Sequence, residues 1–235
     1  MDQGLKILAT ICARGGSKGL PGKNIRDIDG IPLIAYTIQQ ALEAFGHVIV
    51  STDSREIASI SERYGASVPF LRPANLATDQ STKFPVIRHA LFEYEKLTGN
   101  NYDIVVDLDP TSPLRTIKDI DNCVKLLIEK EASNVITAMK SRRSPYFNLI
   151  ERYEDGKIDL SKPISSPITH RQGSPECYDM NASIYVWERD SILNTDTVFL
   201  DRTELYIMPE ERSIDIDSEI DFRFVEYLIK SNNEK

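Results

Sequence analysis

Short apolar runs alternate along the chain with longer segments in which apolar residues recur every three or four positions. Short apolar runs are typical of buried strands, and the recurring spacing is typical of amphipathic helices. The pattern predicts strands at residues 6–13, 47–52, 102–108, 134–139, 182–187 and 205–208. It predicts helices at residues 31–45, 54–64, 83–97, 116–130 and about 218–230.

The alternating order of strands and helices predicts an α/β fold with a mainly parallel sheet and helices on both of its faces. Ligands of such sheets bind beyond the carboxyl ends of the strands, so we expect functional residues in the segments that follow the strands. Residues 140–178 interrupt the alternation with four prolines and little helical spacing. They predict an inserted subdomain that separates residues 1–139 from residues 179–235 of the main domain.

The 235 residues carry a net charge of −8, and this acidic surplus argues against nucleic acid as a partner. The charge is unevenly distributed. Residues 1–26 contain five basic residues and one acidic residue, and residues 140–178 contain seven basic and five acidic residues. These two positive regions predict small anionic ligands bound at defined places.

Membrane and export signals are not recognisable in the chain. No apolar stretch approaches the roughly 20 residues of a membrane span, so we expect no membrane partner. Arg14 and several glycines follow the first apolar run, which is unlike a signal peptide. Cys12, Cys123 and Cys177 lack the spacing of a metal site, which predicts reduced thiols and a cytoplasmic protein.

A glycine-rich segment, ARGGSKGLPGKN at residues 13–24, follows the first predicted strand. Glycine allows the backbone to approach a ligand and to point successive N–H groups at one anion. Arg14, Lys18 and Lys23 add three positive charges within ten residues. Together these features predict a binding loop for a polyphosphate.

Known motifs give two alternatives for this segment. The P-loop requires glycine where Ser17 stands and Ser or Thr where Asn24 stands, and the dinucleotide fingerprint is absent. Gly15-x-Ser17-x-Gly19 matches the nucleophile elbow of serine hydrolases, although that elbow follows a later strand and needs no cluster of cations. A solvated glycine turn is the other alternative.

Asp215 and Asp217 belong to the alternating sequence Ile214-Asp215-Ile216-Asp217. In an extended segment, residues i and i+2 point the same way, so the carboxylates would share one face and the isoleucines would share the buried face. Mg²⁺ is often held by one or two carboxylates together with substrate phosphates. The pair therefore predicts a magnesium site, with an ordinary amphipathic strand as the alternative.

Two further segments have both a structural and a functional interpretation. Residues 109–115, DPTSPLR, begin where the third predicted strand ends, and they suit either a rigid helix entry or a ligand site. His170-Arg171-Gln172 and Tyr178 lie at the return from the insert. They suit either a charged surface loop or a ligand site.

The segments ARGGSKGLPGKN, DPTSPLR, NASIYVW and ERSIDIDSEIDF occur in the order found in the CMP-sialic acid synthetases (acylneuraminate cytidylyltransferases), and nearly the whole chain resembles this family. The resemblance implies a Rossmann-like nucleotide-diphospho-sugar transferase fold. It implies that CTP and a nonulosonic acid react to give a CMP-sugar and pyrophosphate, with Mg²⁺ as cofactor. It also implies a homodimer in which residues 140–178 form an exchanged arm, with Lys140, Arg142 or Arg143 near the neighbour's site.

The resemblance assigns roles to individual residues of this chain. The catalytic residues would be Arg14, Lys23 and Asp215. The nucleotide would be bound by Arg14, Gly15, Gly16, Ser17, Lys18, Lys23, Asn24, Arg72, Ala77 and Ser81. The sugar would contact Asp109, Thr111, Ser112, Arg171, Gln172 and Tyr178. The metal ion would be held by Asp215 and Asp217.

Asp109 departs from the sialate enzymes, which usually carry glutamine at this position. Aspartate removes an N–H donor and supplies a charged acceptor, which suits a substrate with an acetamido N–H in place of a hydroxyl. The chain therefore resembles the branch that acts on legionaminic acid, a 5,7-diacetamido sugar acid, with N-acetylneuraminic acid as the next candidate. The alternatives are a sugar nucleotidyltransferase of the CMP-pseudaminate or CMP-Kdo type, a transferase that uses another nucleotide, and a serine hydrolase that uses Ser17.

Overall fold

A six-stranded sheet forms the centre of the protein in a computed structural model that describes residues 4–16, 19–78, 80–163 and 173–233. Its strands are β1 (Ile7–Cys12), β4 (Val48–Ser51), β5 (Ile104–Leu108), β6 (Asn134–Lys140), β9 (Tyr178–Glu188) and β10 (Thr203–Ile207). They lie in the order β10-β6-β9-β5-β1-β4. Strand β9 runs antiparallel to β5 and β6, and the other pairs are parallel.

Helices cover both faces of the sheet. They are α1 (Leu33–Ala44), α2 (Arg55–Arg63), α3 (Lys83–Thr98), α4 (Ile117–Glu129), α5 (Arg189–Leu193) and α6 (Glu219–Asn233). Side chains alternate along β1, so Ala9 and Ile11 pack with α1, α2 and α4, whereas Leu8 packs with α3 and α5 on the opposite face. The predicted α/β fold is therefore confirmed. None of the described helices is long and apolar enough to cross a membrane.

Local rules account for the ends of several helices. Ser54 caps α2 by accepting a hydrogen bond from the backbone N–H of Ile57, and Thr116 and Asp119 form a capping box at the start of α4. Helix α1 begins two residues later than its predicted start at residue 31. The reason is a two-stranded hairpin, in which β2 (Asp27–Ile28) pairs with β3 (Ile31–Pro32).

The insert leaves and re-enters the sheet at adjacent positions, because Lys140 of β6 pairs with Tyr178 of β9. Within it, β7 (Ile150–Arg152) and β8 (Ile158–Leu160) form a hairpin that the sequence pattern did not predict. The hairpin region exposes four large apolar side chains, which are Leu149, Ile150, Tyr153 and Ile158. The division of the chain at residues 140 and 178, like the role of the insert in dimerisation, stays a prediction.

Helix α6 anchors the C-terminal part of the chain near the carboxyl end of β1. Ile216, Phe222 and Val225 pack with Leu20 and Leu33 in one buried cluster. The cluster attaches residues 215–217 to the glycine-rich segment after β1, although the two segments are distant in sequence.

Candidate active site

A cavity of about 370 Å³ opens beyond the carboxyl ends of β1 and β5, where ligands bind in parallel sheets. Four separate segments line it: the glycine-rich segment, residues 72–86, the loop after β5, and residues 215–217. Its charged and polar lining residues are Arg14, Lys23, Asn24, Arg72, Thr78, Ser81, Thr82, Lys83, Asp109, Thr111, Asp215 and Asp217. The fold thus brings together nine of the fourteen described residues that the sequence assigned to a site.

Backbone contacts explain why glycine occurs in the segment after β1. A Cβ atom on Gly19 would lie 2.8 Å from the backbone oxygen of Asp217, so a larger residue would push the two segments apart. The backbone N–H of Gly15 donates to Asp53 Oδ1 at 2.9 Å. The Gly15 N–H is therefore used within the protein, and the expectation that successive N–H groups of this segment face one anion stays a prediction.

Positively charged side chains from two parts of the chain face the cavity. Arg14 donates a hydrogen bond to the backbone oxygen of Thr78 at 2.9 Å. Arg72 is buried, and the side-chain and backbone oxygens of Ser51 hold its guanidinium at the end of β4. Lys23 also lines the cavity. These cations stand where an anionic ligand would enter.

Two polar residues stand beside these cations. The side-chain amide of Asn24 donates to the backbone oxygen of Arg14 at 3.1 Å, and its buried Oδ1 has no hydrogen-bond partner among the described residues. Ser81 accepts a hydrogen bond from the backbone N–H of Thr78 at 3.1 Å. The Asn24 oxygen is therefore a buried acceptor that a ligand hydroxyl could satisfy.

A chain of hydrogen bonds links two carboxylates on the opposite wall of the cavity. Asp109 Oδ1 accepts from the backbone N–H of Thr111 at 3.1 Å and from its hydroxyl at 2.7 Å. The same hydroxyl contacts Asp215 Oδ1. Burial and the charge of Asp109, with a smaller effect of Asp217, raise the pKa of Asp215 to about 6. This wall therefore carries negative charge that a bound cation would stabilise.

Asp217 lies at the exposed rim of the cavity and pairs with Lys23. Lys23 Nζ is 2.9 Å from Asp217 Oδ1 and donates to the backbone oxygen of Ile216 at 2.6 Å. Residues 213–217 do not form a strand, so the structure does not support the alternative interpretation of this segment as an ordinary amphipathic strand. The expected alternation survives in part, since Ile216 is fully buried and Asp217 is exposed, while Ile214 is half-buried.

Lys83 completes the acidic wall and was not predicted from the sequence. Its Nζ lies 2.7 Å from Asp109 Oδ2, 3.5 Å from Asp107 Oδ2 and 4.9 Å from the centre of the Tyr185 ring. Burial opposes ionisation of Asp109, but the Lys83 ammonium lowers the pKa of Asp109 to about 2. The signal that could have identified Lys83 is a positive charge on the first residue of a predicted helix, where it opposes the helix dipole.

Some residues assigned from the sequence lie elsewhere. Four fall outside the described residues: Ser17, Lys18, Arg171 and Gln172. Five are described but do not line the cavity: Gly15, Gly16, Ala77, Ser112 and Tyr178. Ser112 is fully buried, and the hydroxyl of Tyr178 donates to Glu176 at 2.9 Å near the base of the insert. Their proposed contacts with ligands stay predictions.

Two of the cations at the base of the insert, Lys140 and Arg142, are paired within their own chain. Lys140 Nζ lies 3.2 Å from Glu176 Oε1, and Arg142 contacts Glu210. Arg143 lines a separate small cavity together with Lys140. A contact of these cations with a neighbouring subunit stays a prediction.

The donor set for a metal ion is small. Within the described ranges, no group of three or more His, Cys, Asp and Glu side chains could hold a metal ion. Asp215 and Asp217 offer two carboxylates, with the Thr111 hydroxyl beside Asp215. Mg²⁺ is commonly bound by one or two carboxylates and completes its shell with water and substrate phosphates. The donor chemistry and the raised pKa of Asp215 therefore fit this ion.

Comparisons with known proteins agree with this geometry. The chain matches a protein-family model described as "Cytidylyltransferase" over residues 8–222. It is 49% identical over 230 residues to a post-translational flagellin modification protein B of Campylobacter coli, with 97% of each chain covered. It is 48% identical over 230 residues to a CMP-N,N'-diacetyllegionaminic acid synthase of Campylobacter jejuni, again with 97% of each chain covered. A solved CMP:2-keto-3-deoxy-manno-octonic acid synthetase complexed with CTP shares the fold, with a TM-score of 0.70, 17% identity and coverage of 97% of this chain and 99% of that one.

Proposed function

Because the chain belongs to the cytidylyltransferase family, we propose that it transfers CMP from CTP to a nonulosonic acid and releases pyrophosphate. One observation carries this proposal. Lys23 of the glycine-rich segment pairs with Asp217, which lies 194 positions later in the chain. The backbone of Gly19 also approaches the backbone oxygen of Asp217 closely. A cluster of cations and a pair of carboxylates therefore line one cavity, which suits the transfer of a phosphoryl group.

The phosphates of CTP would bind on the positive side of the cavity. Hydrogen bonds to backbone oxygens hold Arg14 and Lys23 in place before a ligand arrives. Fixed cations stabilise the charge that develops on a leaving pyrophosphate without reorganisation during the reaction. Arg72 and Ser81 lie on the side where the cytidine would bind.

The anomeric hydroxyl of the sugar would attack the α-phosphorus of CTP, in line with the leaving pyrophosphate. We propose that Asp215 and Asp217 hold Mg²⁺ in this cavity. When bound, the ion would neutralise phosphate charge and lower the pKa of the attacking hydroxyl. Thr111 would keep the Asp215 carboxylate oriented through its hydroxyl.

Legionaminic acid is the substrate that we favour, followed by N-acetylneuraminic acid. A 48% identical relative is named a CMP-N,N'-diacetyllegionaminic acid synthase, and its match covers 97% of this chain. Asp109 places a charged acceptor at the cavity, where it could receive an acetamido N–H. No observation favours the pseudaminate, Kdo or serine-hydrolase alternatives over this substrate.

We also propose that the enzyme is a cytoplasmic homodimer joined through residues 140–178. The support is the apolar surface of the insert, where Ile150 and Ile158 are 61% and 60% exposed. Exposed apolar patches often mark interfaces between proteins. Sedimentation of wild type and of the Ile150→Asp/Ile158→Asp variant tests this. A dimer that becomes monomeric in the variant supports the proposal, and a monomeric wild type contradicts it.

The decisive experiment for the reaction is a pyrophosphate-release assay with Mg²⁺. CTP, UTP and ATP are each combined with legionaminic, N-acetylneuraminic, pseudaminic and Kdo acids. We expect release with CTP alone among the nucleotides, and the highest kcat/KM with legionaminic acid. Chelation of the metal should stop the release, and added Mg²⁺ should restore it.

Each alternative has its own signature in this assay. Release with UTP or ATP in preference to CTP would contradict the cytidylyltransferase proposal. An equal or higher kcat/KM for N-acetylneuraminic acid would contradict the assignment of the sugar alone. Hydrolysis of an activated ester that is lost in Ser17→Ala would support the hydrolase instead.

A further inference from the structure

Lys83 occupies a position that the local structure does not favour. It is the first residue of the 16-residue helix α3, where its charge opposes the positive end of the helix dipole. Its side chain is 38% exposed and lies at the wall of the cavity. Helix stability does not explain a lysine here. Such departures from local preference are expected at functional sites.

The Lys83 ammonium lies on the cavity wall between two acids. Its Nζ forms a hydrogen bond of 2.7 Å with Asp109, and Asp107 lies farther away at 3.5 Å. Asp107 is itself engaged by the hydroxyl of Thr10 at 2.9 Å. An ammonium group carries three N–H donors. Since the described residues show one normal hydrogen bond from Lys83, donors remain for a ligand in the cavity.

Asp109 retains acceptor capacity beside these donors. Oδ1 receives two hydrogen bonds from Thr111, and Oδ2 receives one from Lys83. A carboxylate offers about four acceptor sites. The side chain of Asp109 is 18% exposed and lines the cavity. An acceptor and a donor therefore stand side by side on the same wall.

We propose that Lys83 determines sugar specificity together with Asp109, by recognising an acylamino group of the sugar acid. This inference rests on the proposed function. An acylamino substituent brings both an N–H donor and a carbonyl acceptor, whereas a hydroxyl brings one O–H. Asp109 accepts the N–H of an acylamino group, and Lys83 donates to an oxygen of the same sugar. A diacetamido sugar therefore satisfies both the Asp109 acceptor and the Lys83 donor. A sugar with a hydroxyl in place of one acetamido group satisfies them less well.

The test compares Lys83→Met and Lys83→Arg with wild type on two sugars, the 5,7-diacetamido acid and N-acetylneuraminic acid. Lys83→Met should raise the KM of the diacetamido sugar by about 10-fold, because a charged hydrogen bond is lost. The KM for CTP should stay within about twofold, and N-acetylneuraminic acid should be affected less. Lys83→Arg keeps the positive charge and should recover a substantial part of the loss.

Lys230→Met is the matched control, because Lys230 also lies on a helix and pairs with a carboxylate, Glu226, at 2.9 Å. It should leave the sugar preference unchanged. If Lys83→Met does not fold, Lys83→Gln and Lys83→Arg provide the same comparison.

Four outcomes would overturn the inference. An equal loss with both sugars would indicate a merely structural role of Lys83. A rise in the KM for CTP alone would place Lys83 at the nucleotide instead. An unchanged sugar preference in an active Lys83→Met enzyme would remove the inference but leave the proposed function intact. If wild type released no pyrophosphate with any nonulosonic acid, the proposed function and this inference would fall together.

Discussion

The buried Asp119 and the half-buried Asp109 have similar partners but different surroundings. Asp119 receives both arms of the Arg212 guanidinium at 2.9 Å and two hydrogen bonds from Thr116. Asp109 receives a lysine ammonium and two hydrogen bonds from a threonine. However, Asp109 lines a cavity and lies near a second carboxylate, Asp215, whereas Asp119 does not line that cavity.

The difference distinguishes an acid that stabilises the fold, Asp119, from acids that line the candidate active site, Asp109 and Asp215. The Arg212 guanidinium neutralises the Asp119 carboxylate, and Thr116 donates hydrogen bonds to it. Asp119 therefore connects α4 to the segment before Asp215. Around Asp109 and Asp215, negative charge exceeds what the protein neutralises. The pKa of Asp215 is raised for this reason and by burial, whereas that of Asp119 is lowered despite burial. A site that binds cations and reactants is expected to show such an imbalance.

Asp215→Asn should have the largest effect on activity. The amide cannot replace a carboxylate that holds Mg²⁺, so kcat should fall by about 1000-fold. The thermal midpoint should not fall, because the variant removes a charge whose ionised form is disfavoured by burial and neighbouring acids. Turnover, equilibrium binding of CTP and thermal unfolding are measured together. A near-normal kcat would contradict the role of Asp215, and CTP should still bind.

Arg212→Met should have the largest effect on stability. It leaves the Asp119 carboxylate, which is 1% exposed, without its ionic partner. Breaking a buried pair from one side costs about 3 kcal/mol of unfolding free energy. Urea denaturation measures the loss, and Lys230→Met, which removes an exposed pair, is the control. If both variants were equally stable, the Asp119 pair would not be a structural element.

The stability difference between wild type and Arg212→Met should depend on pH. Burial opposes ionisation, but hydrogen bonds from Arg212 and Thr116 hold the pKa of Asp119 below its usual 3.8. A lowered pKa gives stability that is fully present above 3.8 and is lost as the pH falls through the folded-state value. Denaturation curves from about pH 7 to about pH 3 should therefore converge at the acid end. If the difference in unfolding free energy between the two proteins stayed constant over this range, the stabilisation would not come from the charge of Asp119.

Gly19→Ala should have the smallest effect of these changes. Its methyl group would meet the Asp217 backbone oxygen at 2.8 Å, so the glycine-rich segment must move away from the 215–217 segment. The KM for CTP should rise by about 10-fold, a cost of about 1.4 kcal/mol. Gly46→Ala is the control, since an added Cβ there meets nothing within 4 Å. Equal KM values for the two variants would show that the close approach is unimportant.

The elements of the main domain could be predicted because their apolar spacing reports burial directly. Strands β1, β4, β5 and β6 occur close to their expected positions, and helix α4 begins and ends within one residue of its expected bounds. The cavity residues of the glycine-rich and acidic segments were also found, because their residue types suit phosphate and metal binding.

The remaining features depend on contacts between distant parts of the chain. The position of Lys83 at the cavity depends on its ion pair with Asp109, which lies 26 positions away in the chain. The hairpin β7–β8 lacks a clear period-two pattern with one buried face, since its β7 residues are all exposed. The backbone N–H of Gly15 donates to Asp53, which lies just before the start of α2. Local sequence patterns do not report such pairings.

The proposed reaction transfers CMP from CTP to a sugar acid in the cavity beyond the carboxyl ends of β1 and β5. The most direct test is mass spectrometry of the products after wild type is incubated with CTP, Mg²⁺ and legionaminic acid. Wild type should give a CMP-sugar and pyrophosphate in equal amounts, and Asp215→Asn should give neither. Pyrophosphate without a CMP-sugar, or the same yield from Asp215→Asn, would contradict it.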